Sequence, residues 1–132
     1  MGSFNANILP ATTGLNVGSD LQRWNIYPQN IVLPSILNVI GSVSGTPLVA
    51  LSSSISMVTM TLVGNASPTI SGPPGVVIFA ISQNGTGGYT LTWPTGTVNG
   101  MTVGALPNQI SYQLFAWDGT NLTAMAPGLL NP

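Results

Sequence analysis

Residues 76 to 93 read V-V-I-F-A-I-S-Q-N-G-T-G-G-Y-T-L-T-W, and this stretch decides the fold class. The run from Val76 to Ile81 is apolar at every position, which is typical of a strand covered on both sides, at the centre of a core or in a subunit contact. The glycines and Asn84 that follow tolerate positive φ, so the chain is predicted to reverse into a second strand, Tyr89 to Trp93. Pro94 then ends that strand.

Other segments have the alternation of half-buried strands. Between Val58 and Leu62 the apolar side chains share one face and the threonines share the other. Apolar residues also alternate with polar ones from Ile110 to Leu114, and Asp118-Gly119 predicts a hairpin turn. No window has a helical stripe, and we find no repeat at a solenoid or propeller period. The sequence therefore predicts an all-β fold, a small antiparallel β-sandwich or β-barrel-like domain with four to five antiparallel strands in its second half.

The chain has 132 residues, which fits one compact domain. Residues 1 to 40 are predicted to form an extended N-terminal arm with the first strands, of the kind that packs along a neighbour. Within it, Ile31 to Leu33 and Ile36 to Ile40 are candidate strands separated by Pro34. Residues 41 to 132 are predicted to form the β-domain.

Charge is the unusual property of this sequence. Only Asp20, Arg23 and Asp118 carry a formal charge, and the net charge is −1. Because 44% of the residues are hydrophobic and the mean hydropathy is +0.43, the chain is predicted to fold. A single arginine excludes nucleic acid as a partner and gives no electrostatic basis for binding anionic membranes. Since near-neutral proteins repel one another weakly, the composition favours a protein that works inside an assembly.

The uncharged stretch from Ile31 to Leu51 is also not a candidate membrane span. It is interrupted by two prolines, two glycines and several polar residues, whereas a span needs about 20 consecutive apolar residues. Buried strands with uncharged connections are the better interpretation.

Almost no residue here can carry out catalysis. The chain has no His, Cys, Lys or Glu, so neither a serine nor a cysteine nucleophile could be paired with a base. Asp20 and Asp118 could form an acid pair for glycoside cleavage. The simpler interpretation is that Asp118 is a turn residue and that Asp20 is a loop carboxylate beside Arg23. Two scattered carboxylates are also too few for a metal site, and we expect no enzyme activity, cofactor or metal.

The aromatic residues allow two interpretations. Tyr89 and Trp93 lie beside amide side chains and could form a platform that stacks on a sugar ring. Alternatively, they bury a large apolar area in a small core or a subunit interface, which is the interpretation we favour.

Two groups of motifs resemble the virion proteins of tailed bacteriophages. One is the order of strand, Q-N-G-T-G-G turn, strand and T-W-P at residues 83 to 94, closed by F-A-W-D-G at residues 115 to 119. The other is P-A-T-T-G-L-N-V-G-S at residues 10 to 19 with R-W-N at residues 23 to 25, which is similar to a segment of phage fibre proteins. The resemblance implies a structural or adhesive β-protein without enzyme activity, usually trimeric.

From this resemblance and the short chain we predict a capsid decoration (cement) protein on the outer surface of a phage particle. Its expected partners are further copies of itself, in a homotrimer, and the major capsid protein or other virion proteins. A tail-fibre, head-fibre or adhesin domain that binds a host glycan is one alternative, and an extracellular filament subunit is another. The candidate assembly contacts in the arm are Phe4, Ile8, Leu9, Trp24 and Tyr27.

Overall fold

The computed structural model describes residues 36 to 131, and this part of the chain contains eight strands and no helix. In chain order the strands are β1 (Leu37–Gly45), β2 (Leu48–Ala50), β3 (Ile55–Ala66), β4 (Thr69–Ser71), β5 (Gly75–Gln83), β6 (Ile110–Trp117), β7 (Leu122–Ala124) and β8 (Leu129–Asn131). The predicted all-β class is confirmed. Within the same residues no helix could cross a membrane.

Six of the strands form one mixed sheet. Its order is β1-β3-β5-β6-β7, and β8 also pairs with β6. The pairs β1–β3 and β3–β5 are parallel, whereas β6 is antiparallel to β5, β7 and β8. The two remaining strands, β2 and β4, pair in parallel as a second, smaller sheet. The sheet is therefore mixed rather than antiparallel, and it does not close into a barrel.

The parallel strands come from two successive coils of the chain. Each coil has a long strand followed by a short one, and each strand lies beside its equivalent in the next coil. The offset is 21 residues between β3 and β5, as from Ile55 to Val76, and between β2 and β4, as from Leu48 to Thr69. Between β1 and β3 it varies from 19 to 21 residues because of two register shifts. Backbone pairing continues around the corner between the two sheets, where Ser67 N donates to the Gly45 carbonyl at 2.7 Å. A short parallel solenoid thus runs from β1 to β5.

The second corner of the coil needs glycine. Gly72 and Gly75 lie directly beside the backbone of the preceding coil, so a Cβ at Gly75 would overlap the Ser54 carbonyl group. Gly72 has, in addition, a φ of 120°, a backbone conformation that residues other than glycine rarely adopt. Val76 N donates to the Ser54 carbonyl at 2.8 Å, so the close approach also completes a backbone hydrogen bond between the coils.

The core lies on one face of the large sheet, which we call the inner face. Val58, Leu62, Val77, Phe79 and Phe115 are fully buried there. Two elements cover them. The small sheet contributes Val49, which is also fully buried, and the irregular stretch between β5 and β6, residues 84 to 109, contributes Leu91 and Val103.

Several sequence predictions need correction. Residues 89 to 93 do not form a strand, because they make only a single parallel bridge, between Leu91 and Ala66. Residues 76 to 81 do form a strand, but Val76 and Ile78 on its second face are 38% and 39% exposed, so within the single chain the strand is not covered on both sides and the subunit-contact alternative stays a prediction. The solenoid period was missed because only two coils are present and they share little sequence beyond Pro47 and Pro68.

Three other predictions are confirmed. The strand at residues 58 to 62 lies within β3 with its apolar side chains inward, and the strand at residues 110 to 114 lies within β6. The hairpin turn at Asp118-Gly119 joins β6 to β7. The predicted arm lies mostly outside the described residues, although β1 begins at Leu37 and continues past residue 40.

The corner glycine gives a test of the coil. In Gly75→Ala the new methyl group meets the Ser54 backbone, so the strands must separate, and we expect a loss of about 1 to 3 kcal/mol in the free energy of unfolding. Gly85→Ala is the matched control, since nothing lies within 4 Å of the place its methyl group would take and its φ is not positive. Chemical denaturation measures both, and equal stability of the two variants would contradict the coil packing.

Candidate functional site

The second face of the large sheet, which we call the outer face, is the most extensive candidate site. It comprises the residues that alternate with the buried ones along β1, β3, β5, β6 and β8. Strand register aligns them in rows across the sheet, such as Met57, Ile78 and Leu114. The apolar members with large side chains are Leu37, Val39, Ile55, Met57, Val63, Val76, Ile78, Ile110, Tyr112, Leu114 and Leu129.

The outer face is apolar but not covered. Ile55 is 62% exposed, Leu129 is 69% exposed and Val39 is 70% exposed. On the inner face of the same sheet, residues such as Val58 and Val77 have no exposed surface. Antiparallel sheets that face water on one side normally carry polar residues there. A contiguous apolar face of this kind marks an interaction surface in a soluble protein.

A shallow groove crosses the outer face beside β6. Ile78, Tyr112 and Leu114 form its floor, and the segment that contains Pro127 and Leu129 forms its wall. Its volume is about 200 Å³, which is enough for one or two apolar side chains of a partner. A second depression of about 300 Å³ lies on the other side of that segment, beside Asn99 and Met125.

None of the eight strands contains a charged residue. Asp118 is the only formal charge between residues 36 and 131, and it lies in the turn between β6 and β7. Its Oδ1 accepts hydrogen bonds from the backbone N–H groups of Asn121 at 2.6 Å and Thr120 at 2.7 Å. These hydrogen bonds favour the carboxylate and lower the pKa of Asp118 below its ordinary value of 3.8. The carboxylate therefore stabilises a turn.

The predicted sugar platform lies at the core. Trp93 packs against Phe79 and Phe115, with ring centroids 5.2 Å and 4.7 Å apart. Its indole N–H donates to the Met101 carbonyl at 2.8 Å. Tyr89 is half-buried and packs against the same core. The packing interpretation agrees with these contacts, while sugar binding at Tyr89 and Trp93 stays a prediction.

Buried amide side chains fix the irregular stretch from residue 84 to 109, and sequence reasoning missed their role. Gln83 donates to the carbonyl groups of Tyr89 at 2.7 Å and Gly104 at 2.8 Å. Gln113 accepts from Met101 N at 2.6 Å and donates to the carbonyl groups of Asn99 and Ala126, both at 3.1 Å. Glutamine at an inward position of an alternating strand was the available signal, because a buried amide needs several partners.

The chain was compared with protein-family models, curated proteins and solved structures. No match was found in any of the three. The function is therefore inferred from the sequence motifs, the charge, the exposed surface and the hydrogen bonding of this chain.

The described residues contain neither a cluster of metal ligands nor a pair of carboxylates. Between residues 36 and 131 no three His, Cys, Asp or Glu side chains come together as metal ligands. The carboxylate of Asp118 has no second carboxylate in this range with which it could form an acid pair. The candidate assembly contacts Phe4, Ile8, Leu9, Trp24 and Tyr27 lie outside the described residues, as do Asp20 and Arg23. The outer face is thus the feature from which we infer function.

The buried glutamine can be tested directly. Gln113→Leu removes three hydrogen bonds and leaves the Met101 N–H and two carbonyl groups without their partner. We expect the free energy of unfolding to fall by about 2 to 4 kcal/mol. Gln109→Leu is the graded control, because this buried side chain makes one hydrogen bond, to Leu106 N. If thermal and denaturant unfolding showed the same loss for both variants, the bridging role of Gln113 would be refuted.

The turn aspartate predicts how stability depends on pH. Because the pKa of Asp118 is lowered in the folded chain, its stabilising effect is complete above the ordinary aspartate pKa and is lost as the pH falls through the folded value. We expect the free energy of unfolding of the wild type, measured with denaturant, to fall below about pH 4. The free energy of unfolding of Asp118→Asn should decrease less over the same pH range. An equal decrease in the two proteins would exclude this turn as the source.

Proposed function

We propose that this protein is a non-enzymatic structural protein that works by binding other proteins, and that its place is the outer surface of a tailed-phage particle. The observation that supports the proposal is the outer face, an exposed apolar surface on a sheet without a single charged residue. The cores of protein–protein interfaces are depleted in charge in the same way.

Within this class, a capsid decoration protein is our first choice. The motifs at residues 83 to 94 and 115 to 119 support a virion protein through their resemblance to phage β-domains. A decoration protein binds the assembled lattice and not its separated subunits, so it stabilises the lattice by mass action. The gain is about 4 kcal/mol per site when the free protein is at a thousand times its Kd.

The proposal divides the work between two parts of the chain. The β-domain would form the body in which copies of the protein join, and residues 1 to 40 would contact the capsid. Side-chain amides and hydroxyl groups would keep the remaining surface hydrated, since charged groups are almost absent.

A filament subunit is the alternative that a specific feature favours. Natural sheets protect their edge strands with charged residues, proline or bulges. At the edges of the large sheet, β1 and β7 contain neither charge nor proline, although β1 has register shifts near Gly41 and Gly45. Growth by strand addition would then produce fibres from the purified protein. The glycan-binding alternative depends on Tyr89 and Trp93.

The decoration role is tested on particles. We expect antibodies against this protein to label the head surface, and particles that lack the protein to assemble but to release their genome at a lower temperature. Adding the purified full chain should restore the wild-type release temperature, because binding favours the closed lattice. A chain lacking residues 1 to 32 should fold but restore little.

Three results would contradict this assignment. Label confined to the tail tip would favour the adhesin instead. An unchanged release temperature without the protein would exclude a stabilising role on the capsid. Full restoration by the shortened chain would remove residues 1 to 32 from the contact with the capsid.

A further inference from the structure

We propose that the outer face is the surface through which two copies of this chain associate, the outer face of each copy covering that of the other by sheet-on-sheet packing. The inference concerns self-association and does not depend on the virion assignment. Three observations support it: the extent of the face, its lack of charge and the strand register that aligns its side chains in rows.

The extent of the face matches what a specific contact needs. Five strand positions lie side by side, namely β1, β3, β5, β6 and the edge formed by β7 and β8. At about 4.8 Å between strands and about 3.3 Å per residue over about eight residues, the face measures roughly 24 by 26 Å, or about 600 Å². Two such faces together contribute about 1,200 Å², the lower bound for a stable interface. A smaller partner, such as one helix or one peptide strand, would leave much of this area exposed.

Copies of the chain can approach at this face without an electrostatic cost. No charged side chain lies on the outer face, so none has to be desolvated when two faces meet. The chain as a whole has a net charge of −1, so the repulsion between copies is weak. The polar side chains in the rows include hydroxyl groups, such as those of Thr59 and Ser82, and the amide of Asn131. Both kinds of group donate and accept hydrogen bonds and can therefore pair with their own kind.

The same features make a copy of this chain a better occupant than a different protein. Recognition of a charged partner requires complementary charges, and the outer face has none. An apolar face that must be covered is self-complementary when two copies meet about a symmetry axis. Sheets packed in this way lie about 10 Å apart with interdigitating side chains, and the groove above Ile78 and Leu114 can accept one from the neighbour.

The experiment measures sedimentation of the full chain. We expect the wild type to form a dimer at micromolar concentration. Ile78→Asp and Ile55→Asp place a carboxylate in the contact, and each should weaken association at least about thirtyfold, because a buried charge would have no partner. Leu106→Asp is the matched control: Leu106 is 60% exposed but lies outside the large sheet, so its association constant should not change. Circular dichroism establishes that the variants are folded.

A second measurement does not depend on the aspartate variants folding. The chain has no cysteine, so single cysteines introduced as Ile55→Cys and, as control, Leu106→Cys can be joined by a short thiol-reactive cross-linker. Covalent oligomers are expected for Ile55→Cys only. The proposal is overturned if the wild type is monomeric, if association or fibre growth persists unchanged in both aspartate variants, or if the two cysteine variants cross-link equally. Particle labelling tests the virion role separately.

Discussion

Parallel backbone pairing between successive coils of the chain is the interaction on which the rest of the structure depends. With an offset of 21 residues, β3 and β5 lie in register over their full contact, and the same offset aligns β2 with β4. This register decides which side chains lie on the inner face and which on the outer face. A shift by one residue would move each side chain to the opposite face. It also brings Gly75 against the backbone of Ser54, which fixes how closely the coils approach. The antiparallel strands β6 to β8 then extend a sheet whose faces are already defined.

The inner face shows how a chain almost without charge satisfies its buried polar groups. Residues 84 to 109 cover part of the core without forming a ladder of their own, so their backbone groups need partners. Gln83, Ser111 and Gln113 supply these from within the sheet, and no buried side-chain nitrogen or oxygen of the described residues lacks a partner. Neutral amides meet this need without the desolvation cost of a charge, which has to be paired when it is buried.

The sequence predicted local features better than long-range ones. Alternation identified the strand at residues 58 to 62, and Asp118-Gly119 identified a hairpin, because both depend on neighbouring residues. The parallel coils depend on pairing between residues about twenty apart, and two coils with little shared sequence give no visible period. Tyr89 to Trp93 alternates as a strand would, yet the Trp93 ring is drawn onto Phe79 and Phe115, and Gln83 binds the backbone at Tyr89. Tertiary packing therefore overrode the local pattern. The sequence also left open whether the second face of Val76 to Ile81 lies in a core or in a subunit contact, because an apolar strand has the same sequence whether that face is covered within the chain or by another chain.

A strand that is apolar on its second face has a physical consequence for function. A strand that is apolar on both faces is stable in isolation only at the cost of exposing one of them, and the exposed side chains of Val76, Ile78 and Ile55 carry that cost here. Charged residues on the outer face would remove the cost and keep the chain monomeric, but they would also prevent close contact between two faces. Since the strands contain none, the fold favours association over independence. Contacts built from apolar side chains, hydroxyl groups and backbone pairing are little affected by salt or by pH near neutrality. Contacts of this kind agree with the structural role that we propose.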